Sequence, residues 1–541
     1  MLKIIPYRTI YLVGLSLLAA SLPLSVFATS VAEIILVANW LLEGDFIGKW
    51  KLASRRKSLW LIASIYLLHV LGLFNTTDFS YALHDLRINL PFLVLPVVMG
   101  TSRGLDNKEL KWVLISLVAG VTASTLVSAS ILFGIYPHEY HDVREISLFV
   151  SHIRLSLLVN MAVFVLLYFV FGSDFGFSRN IKILFAILLL WLVLFLFLLQ
   201  AITGIVALLV TGFVLFWIFI GKVKHLVLRW FLVVMMISAV FIVFSYLTRS
   251  VARFYSVEEV DFEGLPAETV NGNRYTHDPE NRQVENGNYV WLYLCEEELR
   301  PGWNALSDFD YDGRDEMGQR IKYTLIRYMA SLGYRKDSAG LSKLTERDIE
   351  LIENGKANYI YGKRISLYPK VYEVIWQIDV FRQGGNPSGH SITQRLSFLQ
   401  AGWRIAMENF WIGVGTGDVA SAFRKYYEET DSPLHKKFRL RAHNQYLTYF
   451  ITFGIIGLCW FLVALVWPVF LEKKWSHYLF VVFFIIGLMS MMNEDTLETH
   501  TGNSYFAFFY ALFLLGVLGN GDRETSSGVA ERTRPDKNRS S

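Results

Sequence analysis

The chain has 541 residues, 53% of them hydrophobic and 15% aromatic, with a formal net charge of only +4. That is too apolar for a soluble fold and too interrupted for a single anchor, so composition points to an all-α polytopic membrane protein. The small, dispersed charge excludes nucleic acid as a partner, and two distant cysteines, Cys295 and Cys459, exclude a disulfide framework or a cysteine metal site.

About 17 to 25 apolar residues are needed to cross roughly 30 Å of hydrocarbon as a helix. About twelve runs qualify: 9–28, 30–47, 58–74, 88–101, 112–135, 153–172, 181–199, 202–221, 227–247, 443–470, 477–493 and 503–519. Each must be helical, because lipid offers the backbone no hydrogen-bond partner. Lys3 and Arg8 before the first run imitate a signal peptide, but a second run follows at once, so the first reads as an uncleaved span. Two runs are irregular: 30–47 carries Glu33 and ends in Glu43 and Asp45, and 88–101 is short and holds Pro91 and Pro96.

The alternation of basic loops tests that count. Lys49, Lys51, Arg55, Arg56 and Lys57 share one loop; Arg103, Lys108 and Lys111, then Arg179 and Lys182, then Lys222, Lys224 and Arg229, then Lys473 and Lys474 fall in every second loop after it. Those loops and both termini are therefore expected on the cytoplasmic side of an inner membrane. The opposite loops carry Asp85 and Arg87, then His138, His141, Arg144, His152 and Arg154, then Gln200 and Thr203, and finally Asn493, Glu494, Asp495 and His500. Polar groups with catalytic potential thus gather on the outer face.

The expected organisation is spans one to nine over residues 1–247, a mostly helical periplasmic insert over 248–394, a distinctive segment with the last three spans over 395–520, and a disordered tail over 521–541. Within the insert, a strand or short helix is expected over 289–298. Ile321, Leu325, Met329 and Leu332 have helical spacing, and Thr345 with Asp348 three residues on marks a helix start that Gly355 ends. The stretch 384–391, GGNPSGHS, separates this part from an amphipathic helix beginning near Arg395.

Four features carry possible chemistry. Arg154 and Arg87 lie at the outer edges of spans, as interfacial anchors or as cations facing the bundle interior to hold an anion, where the guanidinium fork suits phosphate. His443 and Asn444 enter the tenth span behind Arg439 and Arg441. A neutral imidazole there accepts a proton, and the neighbouring cations are expected to keep it neutral by lowering its pKa; the plain alternative is a histidine in a basic flank. The run 413–418, GVGTGD, reads as a tight turn before a helix capped by Asp418, since no lysine or preceding strand makes it a nucleotide loop. The run 308–313, DFDYDG, matches the first half of a calcium loop, but Gln319 stands where the bidentate glutamate belongs, which favours a solvated acidic turn.

The segment from Arg395 to Leu458 resembles the signature domain of the O-antigen ligase family, which recurs in O-antigen polymerases and some protein O-oligosaccharyltransferases. The resemblance rests on Arg395, on Trp403 and Ala406 in a W-x-x-A pattern, on the GVG turn, on His443–Asn444 entering a span, and on Gly454 and Gly457. It implies transfer of a saccharide from a polyprenyl-diphosphate carrier in the lipid bilayer to an acceptor hydroxyl on lipid A-core, another glycan or a protein, without nucleotide sugar, cofactor or metal. His443 matches the family's histidine that activates the acceptor. Arg395 and Arg154, with Arg87 more loosely, match arginines that hold the diphosphate, and Asn444, Arg441 and Glu494 stand as supporting residues. About 140 residues ahead of Arg395 depart from the family's pattern and leave the acceptor open. A transporter is the competing class, but it calls for mid-membrane charges and inverted repeats that the sequence does not display.

Overall fold

The computed structural model describes residues 6–140, 143–362, 368–382 and 384–518; the readings made on Lys3, on His141 and on the 521–541 tail lie outside them. The chain forms two compact units, one comprising Val223–Thr393 and the other the remainder.

The larger unit is a helical bundle. It begins with α1 (Tyr7–Ser21), α2 (Val26–Glu43), α3 (Phe46–Arg55), α4 (Lys57–Leu71), α5 (Phe79–Asn89) and α6 (Pro91–Thr101). It continues through α7 (Asn107–Leu132), α8 (His152–Phe171), α9 (Arg179–Leu198) and α10 (Ile202–Lys222). The second unit holds α11 (Leu226–Tyr255), an antiparallel pair β1 (Val284–Glu285) and β2 (Asn288–Tyr289), α12 (Glu296–Leu306), α13 (Ile321–Ser331), α14 (Ser338–Leu341), α15 (Glu346–Glu353) and α16 (Tyr368–Arg382). After α17 (Ser391–Glu408) come α18 (Val419–Glu429), α19 (Gln445–Leu471), α20 (Tyr478–Asn493) and α21 (His500–Ala511).

The protein is thus an all-α polytopic membrane protein, and every predicted run is occupied by helix. Among the described residues nine helical segments are long and apolar enough to cross a membrane, α5 and α6 counting together. The other three expected spans are shorter helices: α1, α20, and α21 with its π-helical continuation over Leu512–Gly516.

Three departures from the sequence reading stand out, the first two with a cause in local chemistry. The first expected run breaks at residues 22–25, where Pro23 interrupts and Ser25 Oγ accepts from Ala28 N to start α2. The loop expected before 88–101 is instead α5, capped by Asp78 through Tyr81 N, with Pro91 opening α6. The expected ninth span, 227–247, extends to Tyr255, inside the predicted insert.

The insert readings hold in their main elements. α13 buries Ile321, Leu325 and Met329, and Thr345 and Asp348 form a reciprocal capping box at the start of α15, with Gly355 at φ +72° after its end. Strand and helix both occur near 289–298, as β2 and the beginning of α12.

One break positions the functional end of the bundle. α19 is interrupted at Gly454, φ +64° and ψ −170°, which would strand backbone groups inside an apolar segment. The GVG turn repairs it: Val414 N donates to Ile451 O (2.9 Å), Gly415 N to Thr452 O (3.0 Å), and Ile455 N to Phe410 O (2.7 Å). A Cβ on Gly454 would lie 2.3 Å from the Trp411 carbonyl carbon, so only glycine permits this approach. The turn reading of GVGTGD is therefore right. The capping role of Asp418 is not, because its carboxylate accepts instead from Thr77 N (2.6 Å), Thr77 Oγ1 (2.8 Å) and Asp78 N (3.0 Å), tying the turn to the α4–α5 connection.

Candidate active site

His443 lies just before α19 in the left-handed region, φ +49°, a conformation costing a non-glycine residue about 1 kcal/mol or more. Asp495, following α20, holds it there. One carboxylate oxygen accepts from His443 N (3.2 Å), the other from Asn444 N (3.0 Å) and Thr448 Oγ1 (2.7 Å). Asn444 caps α19 through Leu447 N (3.0 Å) and donates to Met492 O (2.9 Å). Backbone and helix start are therefore clamped from the α20 side, and the imidazole is left to do other work.

That imidazole pairs through Nδ1 with Glu494 Oε2 (3.2 Å), while Glu494 Oε1 accepts from Arg395 Nη2 (2.9 Å). The ring lies 5.5 Å from that of Phe398. The hydrogen bond that His443 donates to Glu494 raises the histidine pKa above its ordinary value, assisted by the charges of Glu494 and Asp495 and opposed by burial and Arg395. The expected lowering by neighbouring cations is thus reversed. Arg441 turns to other partners, donating to Glu498 Oε2 (3.2 Å) and to Tyr81 OH, and Glu498 also accepts from Gln445 Nε2 (3.0 Å).

These groups border a cavity of about 720 Å³ lined by His443, Glu494, Asp495, Glu498, Arg441 and Arg154. Tyr81, Phe423 and Tyr427 supply aromatic surface, and Arg424, Lys436 and Arg439 bring further positive charge from α18 and the loop after it. Arg154 differs from Arg395 and Arg441, since among the described residues no carboxylate pairs with it. Its Nη1 donates to Ser151 Oγ (2.9 Å), and its Nε is buried without a partner. Just below it, Asn160 donates to Ser156 O and Gly204 O, both at 2.8 Å; a Cβ on Gly204 would lie 2.5 Å from that of Ser156, so α8 and α10 pack backbone to backbone beneath the site.

The expected site residues separate accordingly. His443, Arg154, Arg441 and Glu494 line one cavity; Asn444 and Arg395 stand behind it, the first holding the backbone and the second holding Glu494. Arg87 is exposed and does not line the cavity, because α5 buries Ala82, Asp85 and Asn89 and turns Arg87 away. Glu498, Tyr81 and Gln445 complete the site without having been read from the sequence. In the insert, the DFDYDG run closes on itself: Asp310 accepts from Asp312 N and Asn304 Nδ2, and Asp312 pairs with Arg300. Among the described residues no three His, Cys, Asp or Glu side chains gather as a metal-ligand set.

Fold and site together define a polytopic membrane protein with a histidine–carboxylate pair opening on a cation-lined cavity. The family model described as O-antigen ligase (Wzy_C) matches residues 358–462, which include Arg395, the GVG turn and His443. The match falls on the segment whose motifs carry the resemblance, and over that segment the chain is similar to the O-antigen ligase family. No curated protein matches the chain.

Proposed function

We propose that the protein transfers a saccharide from a polyprenyl-diphosphate carrier to an acceptor hydroxyl at the outer leaflet of the inner membrane, the 248–394 region facing the periplasm. The observation that carries this reading is the pairing of His443 Nδ1 with Glu494 in a cavity that Arg154 also lines without a carboxylate of its own. Nε2 of His443 takes the acceptor's hydroxyl proton while the oxygen forms a bond to the anomeric carbon. The bond from that carbon to the diphosphate oxygen breaks, and its electron pair leaves with the carrier. Arg154 faces the growing negative charge, where a fixed cation in a partly dry site acts more strongly than in water. Arg395 acts one step back by orienting Glu494, and Arg441 with Glu498 fixes the loop that carries His443. The scheme needs no nucleotide sugar, cofactor or metal.

The test is the surface glycan profile of a deletion strain complemented with wild type, His443→Ala or Arg154→Ala at matched membrane expression. Accumulated lipid-linked saccharide with loss of long chains on lipopolysaccharide supports ligation. Retention of a single repeat unit assigns polymerisation instead, and full complementation by both variants removes the site assignment.

A further inference from the structure

α17 presents two apolar faces. One, with Phe398, Ala401, Ile405 and Ala406, packs into a core shared with Val419, Phe423, Phe450 and Ile451. The other is exposed: Leu396, Leu399, Trp403 and Met407 fall within an arc of roughly 80° at the helical step of 100° per residue. Gln400, Arg404 and Glu408, also exposed, occupy the adjoining arc. Beyond the helix the apolar strip continues into Trp411 and Ile412, which are 67% and 62% exposed. A water-facing helix has no reason to display a tryptophan, two leucines and a methionine in line, nor to continue them into a second exposed tryptophan.

The hydrogen bonds at the α19 break tell what covers that strip. Phe410, Val414 and Gly415 are bonded to Ile455, Ile451 and Thr452, so Trp411 and Ile412 lie level with Gly454. The remainder of the spanning helix, Ile455–Leu471, rises only about 26 Å, less than the roughly 30 Å of hydrocarbon it must cross. The hydrocarbon boundary therefore reaches the level of Gly454, and with it Trp411 and Ile412. Ile412 also shares one apolar groove with Leu67, Leu71, Ile456, Trp460 and Val463 of the spanning helices α4 and α19, so the strip is continuous with the lipid-facing belt.

We infer that α17 is an in-plane helix whose Leu396–Trp403–Met407 face and following Trp411–Ile412 are seated in the acyl-chain boundary of the bilayer, with Gln400, Arg404 and Glu408 at the headgroups. Its composition is that of an interfacial helix, with tryptophan at the boundary and charge on the flank. The seating does not depend on the transfer reaction. It ties Arg395, on the first turns of the same helix, to a fixed depth.

The test uses the full chain in phosphatidylglycerol–phosphatidylethanolamine vesicles, with Cys295 and Cys459 replaced by serine. Nitroxides are placed singly at Trp403→Cys, Met407→Cys and Trp411→Cys, with Lys425→Cys as the water-facing reference and Trp460→Cys as the lipid-facing one. The ratio of oxygen to nickel-chelate accessibility at the three sites is expected to match Trp460→Cys and to exceed Lys425→Cys by about fivefold. A ratio like that of Lys425→Cys overturns the proposal, as does exclusion of both reagents, which would mean that a protein partner covers the face. Should the cysteine variants not fold, Trp403→Phe and Trp411→Phe replace them. Quenching of tryptophan emission by brominated acyl chains should fall from the wild-type value in each, and an unchanged value overturns the seating.

Discussion

The buried polar groups of the insert and those at the His443 end of the bundle are built on opposite plans. In the insert, Glu298 accepts from Thr269 Oγ1, Asn273 Nδ2 and Ser338 N, and Glu285 accepts from Arg327 and Asn358. Each charge there is consumed by its own fold. At the end of the bundle Glu494 is divided between Arg395 and His443; among the described residues the second imidazole nitrogen is left over and Arg154 keeps a buried Nε with no acceptor. A charge satisfied on all sides stabilises, whereas a charge held in place and left one partner short is available to a substrate. On the proposed function, the contrast separates a structural network from a reactive one without reference to where either lies in the chain.

It breaks most directly at His443. His443→Ala is expected to lower transfer roughly 10³-fold, the usual scale for a lost general base, measured with purified protein in vesicles carrying a lipid-diphosphate saccharide and an acceptor glycan. Arg154→Gln should cost about 10²-fold in the same assay, the scale of one lost charge-stabilising donor, whereas Arg87→Gln should stay within about twofold. Equal losses at Arg87 and Arg154 would mean that outer-edge charge alone matters and that lining the cavity does not.

A subtler handle is the pH profile. The Glu494 hydrogen bond raises the His443 pKa, so His443 stays protonated, and unable to accept a proton, up to a higher pH than a free histidine would. The acid limb of transfer should therefore lie above the ordinary histidine value. Glu494→Gln removes the charge that favours imidazolium and leaves only a weaker neutral acceptor, so that limb should move to lower pH while the plateau falls about tenfold as the ring is held less firmly. An unmoved limb would show that another group titrates there.

How much of this was legible depended on which contacts are local. Apolar run length and alternating basic loops marked the spans, because both act within one segment. His443, Arg154 and Glu494 stood out as polar groups in or beside the loops expected on the outer side, and the cavity gathers all three. Arg87 carried the same signal, but which face of α5 is buried depends on what packs against it, and the sequence does not display that. The pKa of His443 was misjudged for a related reason: Arg439 and Arg441 are its neighbours in the chain, while Glu494, 51 positions away, is its hydrogen-bond partner. Tyr81 and Arg441 are 360 positions apart and meet only through the fold. Asp418 looked like a cap because it precedes a helix, yet the α4–α5 connection offers it three donors and wins.

The smallest effect on transfer should come from the insert, and Glu298 offers the sharpest version. Burial raises its pKa, but donors from Thr269, Ser338 and Asn273 outweigh that and hold it at about 2, below the ordinary 4.5. A carboxyl depressed in the folded state contributes stability above its unfolded pKa and loses it as pH falls through the folded one. That contribution should fade between about pH 4.5 and pH 2. Glu298→Gln should remove it, so urea-dependent proteolysis of the full chain would find the insert weaker at pH 7 and flatter across that window, while transfer by the folded fraction changes by less than about twofold. If folded Glu298→Gln protein instead loses transfer as His443→Ala does, the carboxylate is not merely holding its own loop together, and a partner-satisfied network has proved reactive after all.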